Sequence, residues 1–200
     1  DCMSVRFGKV SNLGKIGDKW YYLMMDGYNM SLYSADLDGQ NEKKIGTVGD
    51  GVGSGCVFYD NFCIYEMQEG TYYEIDEYTK ILKDYTSTIR RFDFEEQKEE
   101  TLTPELFNES YEIYGRYEDQ LIYEEMKKEG FFVKKLDLET GEVTDFIDKT
   151  DRFLYGMLSG NVFVYMVRTD GRSENYRVIE LDLETGEQKE IWKYSGDMAT

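Results

Sequence analysis

Histidine is absent from the 200 residues, and its absence excludes several kinds of site. Ser-His-Asp and Cys-His nucleophile systems, His-ligated zinc and haem, and the usual general base near neutral pH all need an imidazole. Cationic side chains are also few, since 23 Lys and Arg face 41 Asp and Glu, for a formal net charge of −18. Phosphate backbones and anionic membrane surfaces repel such a chain, which argues against nucleic acid as a partner.

Long hydrophobic runs are missing as well. No stretch approaches the roughly 18 consecutive apolar residues that a membrane-spanning helix needs, and the first ten residues show no signal-peptide pattern. Since the chain begins with Asp1, an upstream signal or anchor stays open. Aromatic residues are plentiful at 16%, which predicts a folded chain despite the high charge. A single proline and little helical periodicity favour an all-β chain.

Three cysteines are too few for a disulfide scaffold. Cys56 and Cys63 flank an apparent two-residue turn, so Cys56 should face Tyr65 and Cys63 should face Phe58 on neighbouring strands. Such diagonal neighbours stand about 7 to 8 Å apart, beyond the usual disulfide range of about 4.4 to 6.8 Å between Cα atoms. We therefore predict two buried free thiols.

The chain contains four similar segments, each with an aromatic strand followed by a strand that closes on an acidic turn. The aligned tyrosines are Tyr22, Tyr65, Tyr123 and Tyr165, and the turn aspartates are Asp36, Asp93, Asp137 and Asp182. The tyrosine spacings of 43, 58 and 42 residues indicate a unit of about 43 residues. The second unit has an excess of roughly 14 residues, in which Glu74 to Lys83 could be a long loop, an extra hairpin or a short helix.

The closing turns give the clearest local pattern. A Leu-Asp-Leu-Glu-Thr-Gly motif occurs at residues 136–141 and again at 181–186. Glycine at the end of such a turn supplies the positive φ with which the chain reverses, and the flanking apolar-polar alternation is typical of half-exposed outer strands. Residues 162–167 are almost wholly apolar, as in a strand covered on both faces.

Inner strands buried on both faces, together with outer strands exposed to solvent on one face, indicate β-propeller blades. We predict an all-β fold with about four four-stranded antiparallel units in a single domain. The approximate blades are residues 11–48, 52–103, 110–147 and 152–193.

These Tyr-rich strands, the Leu-Tyr-Ser-Ala-Asp-Leu-Asp-Gly segment at 32–39 and the two Leu-Asp-Leu-Glu-Thr-Gly turns resemble repeats of bacterial extracytoplasmic β-propellers. The similar groups are the TolB-like proteins and a domain of unknown function, DUF5050. The resemblance implies the fold and an extracytoplasmic location, secreted or anchored at the cell surface of a bacterium. It supplies no catalytic residues.

Four units could close as a ring or belong to a larger propeller. The last unit already has four strands of its own, so a strand at Ser4 to Val10 is expected to be left over from a preceding blade. An incomplete ring would expose apolar blade faces, and self-association is one way to cover them.

Three patterns suggest chemistry, and each has a simpler explanation. Asp36, Asp38 and Gly39 resemble the start of a calcium loop, but Asn41 and Thr47 stand where an EF-hand needs Gly and Glu, which favours a structural turn. The glycine run at 51–55 lacks the Lys-Ser or Lys-Thr pair of a phosphate loop. Paired carboxylates could serve a glycosidase, but among 41 acids the sequence singles out none. We assign no catalytic, cofactor or metal residue.

Exposed aromatic side chains on blade loops are the better functional candidates, because a phenol ring can stack on a sugar or anchor a protein. The candidates are Tyr28, Tyr72, Tyr73, Tyr111 and Tyr114. The alternative is that these rings fill space between blades. We predict a non-enzymatic domain without a cofactor that binds a protein, peptide or glycan. The competing hypothesis is a carboxylate-based glycoside hydrolase or lyase, or the accessory propeller of a peptidase.

Overall fold

The computed structural model describes residues 10–26, 29–49, 56–59, 61–74, 80–96, 98–150, 153–168 and 175–194. Within these residues all regular structure is β-strand, and there is no helix. The strands form four sheets in which sequence neighbours pair, as in propeller blades. The all-β prediction and the blade architecture are confirmed.

The strands of the four sheets follow one another along the chain. The first sheet contains β1 (Val10–Ile16), β2 (Lys19–Asp26), β3 (Asn29–Asp36) and β4 (Lys43–Gly49). The second contains β5 (Cys56–Phe58), β6 (Phe62–Glu74), β7 (Lys80–Asp93), β8 (Lys98–Thr101) and β9 (Leu106–Phe107). The third contains β10 (Ser110–Tyr117), β11 (Gln120–Lys127), β12 (Gly130–Asp137) and β13 (Val143–Thr150). The fourth contains β14 (Phe153–Ser159), β15 (Val162–Arg168), β16 (Tyr176–Asp182) and β17 (Gln188–Tyr194).

Acidic turns close the outer hairpins of the third and fourth sheets. Oδ1 of Asp182 accepts hydrogen bonds from the backbone N–H groups of Glu184, at 3.0 Å, and Thr185, at 2.8 Å. The N–H of Gly186, with φ at +72°, donates to the carbonyl of Asp182. Asp137 forms the same turn with Thr140 and Gly141. The repeated motif is therefore a turn in which the aspartate replaces missing ladder hydrogen bonds.

The second sheet differs from the other three. Its central strands β6 and β7 contain 13 and 14 residues, whereas β11 and β12 contain eight each. The additional residues of β6 and β7 pair with each other as far as Glu74 and Lys80, and the short strand β9 adds a fifth strand beside β7. Among the described residues the excess length therefore extends the β6–β7 hairpin itself instead of adding a separate one, and residues 75–79 lie outside the described ranges.

The chain forms two compact units, which divide between Ile113 and Tyr114. In the first unit, side chains of the first and second sheets share one apolar core. Its buried members are Leu23, Leu32, Cys63, Tyr65, Met67 and Phe92. The two sheets approach closely at Gly14, where an added Cβ would lie 2.5 Å from the ring of Phe58. Only a residue without a side chain fits there.

In the second unit, the third and fourth sheets pack face to face. Ile122, Val133 and Ile147 of the third sheet contact a buried cluster on the fourth. The fourth-sheet members of that cluster are Phe163, Tyr165, Val167 and Leu181. Neither sheet could bury its apolar face alone, so stacking provides the core that repeat architectures depend on.

The cysteine prediction is correct in register and nearly so in burial. Cys56 lies opposite Tyr65, and Phe58 lies opposite Cys63. Both thiols are free, and Cys63 is fully buried, but Cys56 is only half-buried because β5 is an edge strand. A hydrogen bond with Cys63, together with burial, raises the pKa of the Cys56 thiol well above its usual range.

The structure tests the prediction for the last unit but hardly that for the N-terminal strand. The four strands expected for the last unit are those of the fourth sheet. The expected strand at Ser4 to Val10 lies outside the described residues except for Val10, which begins β1. No helix long and apolar enough to cross a membrane occurs in the part of the chain that the structure describes.

Candidate functional site

The additional length of β6 and β7 forms the most distinctive surface feature of the first unit. Among the described residues, β8 pairs with Arg90 to Asp93, and β5 pairs with Cys63 to Tyr65. Beyond these partners, β6 and β7 continue as a two-stranded ribbon joined by β9. We call residues 69–74 and 80–86 the hairpin extension. Its length is not needed to complete a four-stranded blade, since the other three sheets do without it.

Tyr73 is exposed on this hairpin extension, with 45% of its surface accessible. Thr71 pairs with Lys83 across the two strands, which places Tyr73 and Lys83 on the same face at diagonal positions. The Lys83 ammonium lies 5.2 Å from the centre of the Tyr73 ring, within the range of a cation–π contact. The pair presents an aromatic ring and a positive charge side by side on an otherwise acidic chain.

Phe107 adds a second exposed ring next to the hairpin extension. It is 61% exposed and pairs with Thr86 across β9 and β7. The following residue, Asn108, holds it in place: its N–H donates to the carbonyl of Tyr85 at 2.9 Å, and its Oδ1 accepts from the Tyr85 N–H at 3.1 Å. Asn108 has a φ of +53°, a conformation that asparagine tolerates better than most residues. Two hydrogen bonds between Asn108 and Tyr85 therefore hold the backbone next to Phe107.

An ionic network fixes the base of the hairpin extension. Arg90, whose side chain is mostly buried, binds Glu69 on β6 and Glu99 on β8, the latter at 2.8 Å. The hydroxyl of Tyr65 donates to the same Glu99 carboxylate. Burial and the hydrogen bond to Glu99 raise the pKa of Tyr65, so the phenol stays protonated at any physiological pH. These contacts tie β6, β7 and β8 together where the hairpin extension begins.

A buried carboxylate lies behind this network. One oxygen of Glu66 accepts hydrogen bonds from the Ser87 hydroxyl at 2.6 Å, the Gln68 amide at 2.9 Å and the Tyr111 backbone N–H at 3.0 Å. With three donors on one oxygen and almost no solvent access, Glu66 joins β6, β7 and the beginning of β10. These contacts give Glu66 a role in packing.

The calcium-like segment forms a turn. Oδ2 of Asp36 accepts from the Asn41 amide at 2.6 Å, and Oδ1 of Asp38 accepts from the Gln40 N–H at 3.0 Å. Among the residues that the structure describes, no three acidic or cysteine side chains converge where a metal ion could bind. The glycine run at 51–55 lies outside the described residues.

The structure separates the five tyrosine candidates. Tyr73 is exposed, as expected. The prediction of exposure is wrong for Tyr111, which is fully buried and donates to the Pro104 carbonyl at 2.8 Å. It is also wrong for Tyr114, whose ring packs on Phe163. The two rings lie on opposite faces of β10, Tyr111 on the buried face and Tyr114, which is half-buried, on the other. Tyr28 and the side chain of Tyr72 lie outside what the structure describes.

Comparisons with known proteins give matches in structure only. No protein-family model matches the chain. No curated protein matches it in sequence. TolB from Acinetobacter baumannii is similar with a TM-score of 0.59 and 17% identity, over 90% of this chain and 42% of that one. An acylaminoacyl peptidase from Pyrococcus horikoshii is similar with a TM-score of 0.62 and 15% identity, over 92% of this chain and 32% of that one.

An oligogalacturonate lyase from Vibrio parahaemolyticus is also similar, with a TM-score of 0.58 and 12% identity, over 88% of this chain and 50% of the lyase. The fold is a β-propeller. At these identities the likeness extends to the fold alone. The chain spans half or less of each of these three structures.

Proposed function

We propose that this chain is a non-enzymatic β-propeller domain of an extracytoplasmic bacterial protein, and that it binds a protein, peptide or glycan. The observation that carries the proposal is a pair of exposed aromatic rings, Tyr73 on the hairpin extension and Phe107 beside it on β9. Rings in such positions are the side chains that most often dominate binding energy at protein surfaces.

The charge of the chain favours a cationic partner among these ligands. A net charge of −18 attracts a basic peptide or protein over long range and repels nucleic acid. Tyr73 can then contribute a ring face to a lysine or arginine of the partner. Lys83 already lies beside the ring, so an incoming cation competes with it for the same face.

The likeness to TolB supports the bacterial extracytoplasmic location, together with the repeat motifs that resemble extracytoplasmic propellers. The free thiols neither favour nor oppose it, because a buried cysteine behaves as a small hydrophobic residue.

Peptide and glycan arrays probed with the purified chain test the proposal. We expect selective binding that weakens at least tenfold when Tyr73→Ala and Phe107→Ala are combined, since each ring of a contact site contributes on the order of 1 kcal/mol or more. Leu37→Ala is the matched control, because Leu37 is an exposed apolar residue on a turn of the first sheet. Binding that the double variant leaves intact would refute the role of the hairpin extension.

The alternative is an enzymatic one, and two comparisons favour it. An oligogalacturonate lyase and an acylaminoacyl peptidase share the fold, so the chain could be a carboxylate-based glycoside hydrolase or lyase, or the accessory propeller of a peptidase. Incubation with oligogalacturonate and with acylated peptides distinguishes these possibilities. Turnover would replace the binding proposal, and inhibition of an added peptidase domain would favour the accessory role.

A further inference from the structure

In the part of the chain that the structure describes, one face of the fourth sheet packs on the third and the other carries exposed side chains. Phe163, Tyr165 and Leu181 point to the third sheet, and the residues between them along the strands point the opposite way. On this exposed face, Tyr155 is 63% accessible, Trp192 51%, Met157 49% and Tyr194 42%. Such a concentration of large apolar side chains at a surface marks an interaction site.

The strand register places these side chains together. Met157 pairs with Val164 across β14 and β15, and Val178 pairs with Trp192 across β16 and β17. Tyr194 stacks on Trp192, with ring centres 5.8 Å apart. Large apolar side chains are therefore exposed on this face from β14 at one edge to β17 at the other.

The same positions already form an interface in the third sheet. Val133 pairs with Ile147 there, and both are buried in the core shared with the fourth sheet. Val133 precedes the turn aspartate Asp137 by as many residues as Val178 precedes Asp182, so Val178 and Trp192 are their counterparts. The exposed face thus repeats a surface whose established use in this molecule is packing on another sheet.

The exposed face carries charges of both signs, in positions where two copies of the face would bring opposite charges together. Arg168 lies at one end of β15, opposite Tyr176, and Glu180 lies opposite Val164 toward the other end. A two-fold axis that crosses the strands between these positions would place Arg168 of one copy against Glu180 of a second. Glu180 and Lys189 are neighbours across β16 and β17, so acidic and basic side chains balance on this face, although the chain has a net charge of −18. Two copies can therefore meet here with less repulsion than elsewhere.

We propose that the exposed face of the fourth sheet binds a second copy of this chain, forming an isologous dimer by sheet-on-sheet packing. Four strands about 4.8 Å apart and seven residues at about 3.4 Å each give a face on the order of 450 Å² per copy. The total lies at the lower end of specific interfaces, so the dimer is weak, with a dissociation constant in the micromolar range. Aromatic anchors and an arginine are the side chains that make small interfaces specific.

Sedimentation equilibrium of the full chain between about 1 and 200 μM tests the dimer. We expect dimer at the upper concentrations and a loss of at least tenfold in association for Trp192→Glu. Tyr155→Glu, at the opposite edge of the face, should have the same effect if Trp192→Glu perturbs folding. Leu37→Glu introduces the same charge on the first sheet and should leave the association unchanged. A chain that stays monomeric at 200 μM, or a dimer that both face variants leave intact, overturns the proposal.

A charge exchange tests the two-fold geometry. Arg168→Glu and Glu180→Arg should each weaken the dimer severalfold, because each places like charges opposite one another in the pair. The double variant restores opposite charges at both ends, so we expect its association to return to within about threefold of the parent. Additive losses in the double variant would contradict the two-fold arrangement. The test uses no residue of the hairpin extension, so its outcome is separate from that of the binding proposal.

Discussion

The hydroxyl of Ser87 donates a 2.6 Å hydrogen bond to Oε1 of Glu66, and both residues are buried in the second sheet. The same oxygen receives the backbone N–H of Tyr111, where β10 begins. A single carboxylate therefore satisfies donors from three strands, which gives it a larger structural role than its sequence context suggests.

Replacement of Glu66 should be strongly destabilising. Glu66→Leu leaves the Ser87 hydroxyl and the Tyr111 N–H without this acceptor, and we expect the free energy of unfolding to fall by about 3 kcal/mol. Glu66→Gln keeps an oxygen acceptor and should cost about 1 kcal/mol. Urea unfolding measures both, with the exposed turn variant Glu139→Gln as control. Equal losses for Leu and Gln would show that the acceptor oxygen is unimportant.

Gly156 is a position where any side chain is excluded. An added Cβ would lie 2.8 Å from ring carbons of both Phe163 and Tyr114, inside the core that the third and fourth sheets share. We expect Gly156→Ala to destabilise the second unit by about 1 to 3 kcal/mol, as overpacking does. Gly46→Ala is the control, since its Cβ would only touch Phe92 at 3.8 Å. Thermal unfolding compares the two, and similar midpoints would contradict the close sheet approach.

The acidic turns predict a dependence of stability on pH. Hydrogen bonds from the backbone and side chain of Thr185 lower the pKa of Asp182, and Thr140 lowers the pKa of Asp137 likewise. Because the folded state favours the ionised form, the stabilisation is complete above the unfolded value of about 3.9 and is lost as the pH falls through the lower folded value.

The turn prediction can be measured with one variant. Asp182→Ala should be less stable than the parent at pH 7, and the difference should shrink as the pH falls toward 2 and the parent aspartate takes up its proton. Urea unfolding across this pH range measures the difference. Asp38→Ala is the control, since the Asp38 carboxylate accepts the backbone N–H of Gln40, whereas Asp182 accepts two backbone N–H groups. A difference that persists unchanged at pH 2 would assign the loss to something other than the charge.

The two cysteines of the second sheet should be inert in the folded protein. Burial protects Cys63, and the raised pKa of Cys56 leaves little thiolate at pH 8 to react. We expect alkylation of both residues without reductant only after unfolding in urea, as measured by peptide mass spectrometry. A pair that stays unmodified in urea until a reductant is added would be a disulfide, contrary to the structure.

Much of the fold could be predicted from local sequence, because each sheet consists of hairpins between neighbouring strands. The turn aspartates and the Cys56–Tyr65 register follow from short-range rules of turn chemistry and strand alternation. The burial of Tyr111 and the packing of Tyr114 on Phe163 could not be predicted this way, since they depend on which neighbour covers each face of β10.

Only part of the candidate site could be predicted from the sequence. Tyr73 was identified, but Phe107 was missed because a two-residue strand leaves almost no periodic pattern. Its one local signal is a Leu-Phe pair between Pro104 and Asn108, two residues that often delimit short structured segments. The Glu66 contacts join residues 45 positions apart, and no local rule links such distant positions.

Pairing between neighbouring strands also has a consequence for synthesis. A sheet such as the fourth is complete within residues 153–194, so it needs no partner strand from a later part of the chain. All-β proteins usually fold slowly because their strands must find distant partners, and that delay exposes them to aggregation. Here each hairpin can close soon after its residues leave the ribosome, without waiting for a later part of the chain.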